Sequence, residues 1–278
     1  QGTYADANGN KYDGAWKAGL KDGQGELSYA NGDIYAGEFS KNNQTKNGTY
    51  TYVDGGTFIG NWLDGKKSGE GTRIWPNASK YVGNWDQDLQ NGNGTYSAEN
   101  GDKYVGVWRD GLKNGPASYT FADNGKYVGE FKNDLWSGEG TYTAANGDEY
   151  IGDWLDGAKD GEGIFTYANG DRYVGEFSDN LLDGDGSMTF KASGNKHVGR
   201  YKNDLFHGKG TYTYTNGNKY TGEFKNDFFH GKGTFSFANG DEYIGIFKDD
   251  LFNGSGTLTY KDGRLEQGRW QDGQFIGN

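Results

Sequence analysis

A spacing of 23 residues governs this sequence from one end to the other. Aromatic residues occupy the leading position of nearly every step, and the phase shifts once, because one extra residue lies within 191–196. A glycine follows each leading position after two residues, and an aromatic residue follows two residues after that. Such repetition predicts one supersecondary element written about twelve times and stacked, so that neighbours bury each other. The leading positions are Tyr12, Tyr35, Phe58, Tyr81, Tyr104, Tyr127, Tyr150, Tyr173, His197, Tyr220, Tyr243 and Glu266.

Both halves of each repeat are typical of β-strands. In the first half, Tyr220 and Phe224 alternate with polar residues around a glycine, and in the second half Tyr212 and Tyr214 alternate with threonines. A period of two places alternate side chains on one face of a strand. Each repeat is therefore predicted to contain two strands, with the aromatic residues of both strands on the same face.

Two kinds of connection alternate along the chain. Asn216-Gly217 is a strong signal for a tight hairpin turn, and we expect such turns to link one repeat to the next. The connection inside a repeat, residues 202–208, is expected to be longer. The predicted fold is all-β: an elongated single-layer array of about twelve antiparallel β-hairpins, twisted along its length as a ribbon.

The repeat predicts one continuous array over residues 1–278. Full repeats begin at residue 12, a half repeat occupies 1–11, and another half repeat occupies 266–278. The first of these halves resembles a second strand and the last resembles a first strand. Because bare strand edges invite pairing, one expectation is that copies of the chain stack head to tail, and the alternative is that the sequence is a piece of a longer array. The predicted head-to-tail interface contains Tyr4, Tyr12, Trp270 and Phe275.

Composition excludes several classes of partner. The chain has 39 acidic and 28 basic residues, a net charge of -11, and no cysteine. Nucleic acid binding depends on Lys and Arg that neutralise phosphates, so the charge argues against it and disfavours anionic membrane surfaces for the same reason. No apolar run approaches the roughly 18 residues of a transmembrane helix. Without cysteine the chain has no disulfides and no thiolate chemistry.

The repeat also argues against an enzyme. Catalysis needs different groups that converge at one place, whereas a repeat places the same groups many times. The three histidines, His197, His207 and His230, all occupy repeat positions. Asp183 and Asp185 are close in sequence but lack the ligand spacing of an EF-hand loop. We therefore predict a non-enzymatic protein without catalytic residues, cofactor or metal site.

The pattern resembles the MORN repeat family. The stretch YVGEFKNDLWSGEG, residues 127–140, matches the family consensus, in which Tyr-x-Gly-x-Trp is followed after a short loop by Gly-x-Gly. Departures are local: Lys46 replaces the first glycine of one such pair, and Pro116-Ala117 disrupts another. The resemblance implies an elongated β-hairpin array that acts as a scaffold, dimerises, or holds partner segments in a groove. It specifies the fold better than the function.

The second aromatic residue of each repeat defines the candidate binding surface. These residues form a stripe that must be the core of a one-layer protein, and a single layer can leave one side of the rings open as a groove for an apolar or helical segment. The core-only and the core-plus-groove interpretations are both open. The stripe residues considered for binding are Trp62, Trp85, Trp108, Phe131, Trp154, Phe177, Tyr201, Phe224 and Phe247.

Three functional hypotheses follow, of which the third is the least favoured. In the first, the protein is a structural scaffold that associates with copies of itself, head to tail as a filament or as a dimer. In the second, it is an adaptor that captures a peptide or helix of another protein in the aromatic groove. A peripheral membrane scaffold is the third, which the charge disfavours. We expect a soluble chain at an extracellular or cell-surface location rather than in the cytoplasm.

Overall fold

The computed structural model describes all of residues 1–278, which form β-strands joined by short connections and contain no helix. The chain divides into two compact units, unit 1 (Gln1–Trp136) and unit 2 (Ser137–Asn278). Within each unit, strands that follow one another in the sequence pair antiparallel. The predicted all-β array of hairpins is confirmed, while its continuity over residues 1–278 stays a prediction.

The strands of unit 1 alternate between seven and nine residues after a short first strand. They are β1 (Gly2–Ala5), β2 (Lys11–Lys17), β3 (Leu20–Ser28), β4 (Ile34–Ser40), β5 (Asn43–Thr51), β6 (Thr57–Leu63), β7 (Lys66–Ile74), β8 (Lys80–Asp86), β9 (Leu89–Ser97), β10 (Lys103–Arg109), β11 (Leu112–Thr120) and β12 (Lys126–Lys132).

The strands of unit 2 keep the same alternation and end in a short strand. They are β13 (Leu135–Thr143, of which 137–143 belong to unit 2), β14 (Glu149–Leu155), β15 (Ala158–Thr166), β16 (Arg172–Ser178), β17 (Leu181–Thr189), β18 (Lys196–Lys202), β19 (Leu205–Thr213), β20 (Lys219–Lys225), β21 (Phe228–Ser236), β22 (Glu242–Lys248), β23 (Leu251–Thr259), β24 (Leu265–Gln271) and β25 (Gln274–Gly277).

The two kinds of connection have lengths opposite to those expected. Inside a repeat, only Asn203 and Asp204 lie between β18 and β19, with φ of 49° and 68°. The expectation of a longer connection at 202–208 is therefore wrong. The Asn-Gly connection is the longer one, residues 214–218, and it is closed by a hydrogen bond from the Tyr214 N–H to the Asn218 carbonyl. Asn and Asp tolerate the left-handed conformation, and a two-residue turn of this kind matches the twist of its strands.

A β-bulge explains why the second strands are longer than the first. In β11, Ala117 lies opposite Gly106 but Asn114 lies opposite Val107, so two residues of the second strand have no partner there. The first glycine of each Gly-x-Gly pair falls in this bulge, and Gly208 adopts a φ of +67°. Lys46 occupies the same position with a φ of 50°, so the backbone geometry persists without the glycine.

Side chains of one repeat accept hydrogen bonds from backbone N–H groups and side chains of a neighbouring repeat. Asp102 accepts the N–H of Ala122 at 2.8 Å and the hydroxyl of Tyr119 at 2.8 Å. At the opposite ends of the strands, Asp134 accepts the N–H of Lys113 at 2.9 Å. These bonds recur along both units, with Asn in place of Asp in some repeats. They supplement the backbone pairing that joins successive hairpins.

The sheet of each unit has two chemically distinct faces. The inner face carries the leading tyrosines, and Tyr81 and Tyr104 are fully buried there. The outer face carries exposed β-branched residues, and Val82 and Val105 each lie opposite Thr95 in the neighbouring strand. The core therefore lies on one side of the strands only.

Candidate functional site

The leading tyrosine lies flat over two glycines. A Cβ at Gly14 or at Gly25 would lie 2.4 Å from the hydroxyl of Tyr12, which no side chain could occupy without a shift. That hydroxyl donates a hydrogen bond to the carbonyl of Ala15 at 2.9 Å. The same arrangement buries Tyr81, and burial raises the pKa of Tyr81 to about 12. Leading tyrosines such as Tyr12 thus pack directly against the backbone of two repeat glycines, where a side chain would collide with the ring.

A stripe aromatic such as Trp85 contacts two leading residues. Trp85 meets Tyr81 of its own repeat at 5.2 Å between ring centroids and Phe58 of the previous repeat at 5.2 Å, both edge to face. Its indole N–H donates to the carbonyl of Gly71 at 3.3 Å. Edge-to-face pairs of this kind add about 0.5–1.5 kcal/mol each beyond burial. The ladder of rings therefore links repeats energetically.

The nine stripe residues predicted to form a groove lie in this ladder. Each is at most 6% exposed, so their rings are the core and only their edges lie near solvent. They are Trp62, Trp85, Trp108, Phe131 and, in unit 2, Trp154, Phe177, Tyr201, Phe224 and Phe247. Any segment that binds the inner face meets other residues first.

One such residue occupies the second position of every second strand, which we call the cover position. From β19 onward in unit 2 the cover residue is phenylalanine. Phe229 stacks on Tyr220 at 3.8 Å, and Phe252 stacks on Tyr243 at 3.7 Å. Both pairs are nearly parallel, with interplanar angles of 15° and 6°. From β19 onward, the leading rings of the inner face are therefore covered by aromatic side chains of the same chain.

In unit 1 the cover position is mostly polar. Lys67 lies over Phe58 with its ammonium 5.5 Å from the ring centroid, and Gln44 donates a hydrogen bond to the Tyr29 hydroxyl at 2.6 Å. Only the last cover residue of this unit is aromatic, and it stacks on a leading tyrosine. The cover residues of unit 1 are Lys21, Gln44, Lys67, Gln90, Lys113 and Trp136. The rings of unit 1 are thus covered by flexible polar side chains.

A second row of aromatic residues borders the inner face. Each follows directly after a second strand and is half-buried. Tyr52 packs beside Tyr50 at 4.6 Å and supports Arg73, whose guanidinium carbon lies 3.6 Å from the ring centroid. In unit 1 the row comprises Tyr29, Tyr52, Trp75 and Phe121. Sequence analysis placed Tyr214, the member of this row after β19, on the aromatic face, but it did not identify the row as a whole, although the period of 23 points to it.

His197 is the one leading residue with a titratable ring near neutral pH. It is fully buried and stacks on Phe206 at 3.9 Å. Its Nδ1 lies 2.8 Å from the hydroxyl of Tyr201, and its Nε2 has no hydrogen-bond partner. Burial lowers the pKa of His197 to about 4. The imidazole is therefore neutral at pH 7 and serves as a core ring.

The four residues predicted for head-to-tail contact lie at the terminal strands of their units. In unit 1, Tyr4 is 58% exposed, whereas Tyr12 is buried, and each contacts Trp16 edge to face. In unit 2, Trp270 is buried and meets the 38% exposed ring of Phe275 at 5.2 Å. Each terminus thus offers one exposed aromatic ring next to one buried ring.

Some solved structures resemble this chain weakly. The TCP domain of SAS-4 from Drosophila melanogaster, in complex with a proline-rich motif of Ana2, is 15% identical over 60% of this chain and 90% of that chain, with a TM-score of 0.37. The TCP10 domain of CPAP from Danio rerio is 12% identical over 95% and 97%, with a TM-score of 0.23. Similarity this low carries no functional argument. No curated protein matches the chain.

No helix of membrane-spanning length and apolarity occurs in the chain. The MORN repeat model matches consecutive segments in the 23-residue phase described above, including the shift at His197. The matched segments are residues 12–34, 35–57, 58–80, 81–103, 104–126, 127–149, 150–172, 173–194, 197–219, 220–242 and 243–263. The chain belongs to the MORN repeat family.

Proposed function

We propose that this chain is a non-catalytic scaffold that holds a segment of a partner protein against the inner face of unit 1. The observation that carries the proposal is the polar cover of that face. Phe229 and Phe252 stack on the leading rings of unit 2, whereas in unit 1 Lys67 lies over the ring of Phe58 and Gln90 occupies the same position in the next repeat. A partner side chain can displace a lysine stem from an aromatic ring more easily than it can displace a stacked phenylalanine.

The neighbouring half-buried aromatics support the same surface. Trp75 meets Tyr96 edge to face at 5.7 Å, and both rings remain partly accessible on the inner face. Partly accessible Trp and Tyr supply large contact area at low entropic cost, and they are enriched among residues that dominate binding energy. Tyr96 lies in β9, and Trp75 directly follows β7, where its N–H bonds to the carbonyl of Ser79.

A peptide selection tests this function. Peptides of about 16 residues are selected for binding to the whole chain, and their affinities are compared with those for the Trp75→Ala variant. Because Ala98 and Ala144 occupy the same repeat position, this variant reproduces a residue that the fold already contains. We expect a loss of affinity of about tenfold or more.

The matched control is Tyr214→Ala, at the same repeat position in unit 2. It should leave the affinity of the selected peptides unchanged. Peptides that lose affinity equally with both variants, or a selection that yields no peptide, would contradict the proposal.

Self-association is a second candidate function, and the terminal strands favour it for the polypeptide of residues 1–278. Second strands such as β23 have nine residues, whereas β25 has four, pairs only with Arg269–Gln271, and leaves 265–268 without a partner on that side. The four residues of β1 pair with β2 in the same way as the last four residues of β23 pair with β24. Together β25 and β1 of another copy would supply the two halves of one strand.

A further inference from the structure

We propose that the segment bound by the inner face of unit 1 is acidic and extended, with carboxylates that pair with Lys21, Lys67 and Lys113. This inference rests on the proposed function, and it names the chemistry of the partner. The three lysines occupy the cover position of every second repeat, with glutamines at the cover positions between them.

Each of these lysines lies over an aromatic ring of the core. The ammonium of Lys21 is 5.4 Å from the Tyr12 centroid and 5.6 Å from the Phe39 centroid. That of Lys113 is 5.7 Å from Tyr104 and 5.3 Å from Tyr119. The ring faces attract the cation, and the (CH₂)₄ stems cover apolar surface. Each ammonium group therefore lies above core rings, where a partner segment on the inner face would meet it.

None of the three ammonium groups forms an ion pair within the chain. The pairs that the chain does form involve Lys46, His230 and Arg264. The carboxylate of Asp102, which lies on the same face, is already bonded to a tyrosine hydroxyl and a backbone N–H. Burial lowers the pKa of Lys21, although Asp6 opposes this, so a partner carboxylate would stabilise its charged form.

The spacing of the lysines fits an extended chain. Lys21, Lys67 and Lys113 lie on β3, β7 and β11, four strands apart. At about 4.8 Å per strand this separation is roughly 19 Å, which an extended segment covers in about six residues at about 3.3 Å each. Six is an even number, so carboxylates at this interval project from the same side of the segment. One straight segment can thus reach all three lysines.

The charge of the units favours unit 1 for an acidic partner. Unit 1 has 14 basic and 17 acidic residues, a net charge of -3, whereas unit 2 has 14 and 22, a net charge of -8. In unit 2 the first cover residue is Lys159, with its ammonium 4.5 Å from the Phe165 centroid, and the position becomes apolar only from Leu182 onward, with Phe206, Phe229 and Phe252. Three of the four lysines at cover positions therefore lie in unit 1.

A pair of synthetic peptides tests the inference. The probe is a fluorescein-labelled peptide of about 18 residues with glutamate at every sixth position and leucine, phenylalanine and serine elsewhere. Its twin carries glutamine in place of each glutamate. We expect the glutamate peptide to bind the whole chain about tenfold more tightly in fluorescence anisotropy at low salt, with the preference reduced as salt is added.

The decisive variant is the triple substitution K21Q/K67Q/K113Q, which should abolish the preference. It should fold, because Gln44 and Gln90 occupy the same repeat position. Its matched control, K80Q/K103Q/K126Q, removes three exposed lysines from the first strands of the same unit on the outer face and should leave the preference intact.

The outcomes separate the two proposals. If both peptides bind equally, or if both triple variants lose the preference equally, the acidic partner is wrong while binding to the inner face stands. If neither peptide binds and the selection described above also fails, the proposed function falls together with this inference.

Discussion

His197 and Tyr201 share a polar contact inside the core, with Nδ1 and the hydroxyl oxygen 2.8 Å apart. In the next repeat the equivalent pair is Tyr220 and Phe224, and there the Tyr220 hydroxyl donates instead to the carbonyl of Glu223 at 2.7 Å. His197 cannot make that bond across the bulge, and its Nε2 is buried without a partner. This repeat has exchanged a backbone hydrogen bond for a buried, titratable ring.

That exchange predicts a specific acid sensitivity. Between pH 6.5 and about 4 the unfolded chain binds a proton at His197 that the folded chain does not. The free energy of unfolding therefore rises with pH through this window. As the pH falls from 6.5 to about 4, it decreases by up to about 3 kcal/mol. The measurement is the free energy of unfolding in urea at pH 7 and at pH 4.5.

The control for this prediction is the double variant H197Y/Y201F, which copies the neighbouring pair of Tyr220 and Phe224. It should be more stable at pH 7 and should lose less stability on acidification than the parent chain. An equal loss in both proteins would show that the carboxylates, and not His197, cause the acid sensitivity.

The asymmetry of the two faces predicts opposite results for two substitutions in one region. Trp154 is buried, meets Tyr150 edge to face at 5.1 Å and donates to the carbonyl of Gly140. Trp154→Ala should lower the free energy of unfolding by about 3–5 kcal/mol. Thr143→Ala, at an exposed position of the outer face, should change it by less than about 1 kcal/mol. Similar losses in denaturant titrations would mean that the faces are assigned wrongly.

The bonds between repeats predict a difference between two substitutions of one residue. Asp102→Ala removes the acceptor for Ala122 and Tyr119 and should cost about 1–3 kcal/mol. Asp102→Asn should cost less, because Asn195 and Asn218 accept the corresponding N–H groups elsewhere in the chain. Thermal unfolding of the two variants at pH 7 distinguishes them, and equal destabilisation would contradict this role of the side chain.

The dependence of stability on pH distinguishes the parent chain from the Asp102→Asn variant. The hydrogen bond from Tyr119 lowers the pKa of Asp102. The parent chain should lose this contribution as the pH falls below about 4, and the Asn variant should not.

The hairpins could be predicted from the sequence because their determinants are local. The alternation of Tyr220, Gly222 and Phe224 fixes strand and face together, and the 23-residue period fixes the order of pairing. The turn at Asn203-Asp204 was predicted poorly, since its left-handed residues are Asn and Asp rather than the Asn-Gly pair that marks such turns most clearly. Local sequence thus determines the strands better than it determines the connections.

The candidate site was predictable only in part. The stripe is visible as a period, but the burial of Trp85 depends on side chains from adjoining strands that a period does not reveal. The contrast between Lys67 and Phe229 matters only once both are known to lie over the leading ring, which is a fact of register across the bulge. A sequence search for periodic aromatic positions does not find polar residues such as Lys67 that lie on the same face.

The terminal strands carry the last prediction. For the polypeptide of residues 1–278, β25 covers only Arg269–Gln271 of β24, and a second copy can add its Gly2–Ala5 beside residues 265–268. The exposed rings of Tyr4 and Phe275 would then approach the buried rings of the neighbouring copy. We expect this polypeptide to form assemblies whose mean size in light scattering increases with protein concentration.

Removing residues 1–5 tests that contact, because it takes away the strand that a second copy would add beside residues 265–268, while β2 keeps its pairing with β3. The shortened chain lacks one half of the strand that two copies would complete, so its particles should remain monomeric over the same range of concentration. Val128→Lys provides the control, since it adds a charge to the outer face of unit 1 and leaves both terminal strands unchanged. This variant should assemble like the parent. If the parent polypeptide is monomeric at the highest concentration tested, or if the shortened chain assembles as well as the parent, head-to-tail association is wrong, whereas binding of a partner to the inner face is unaffected.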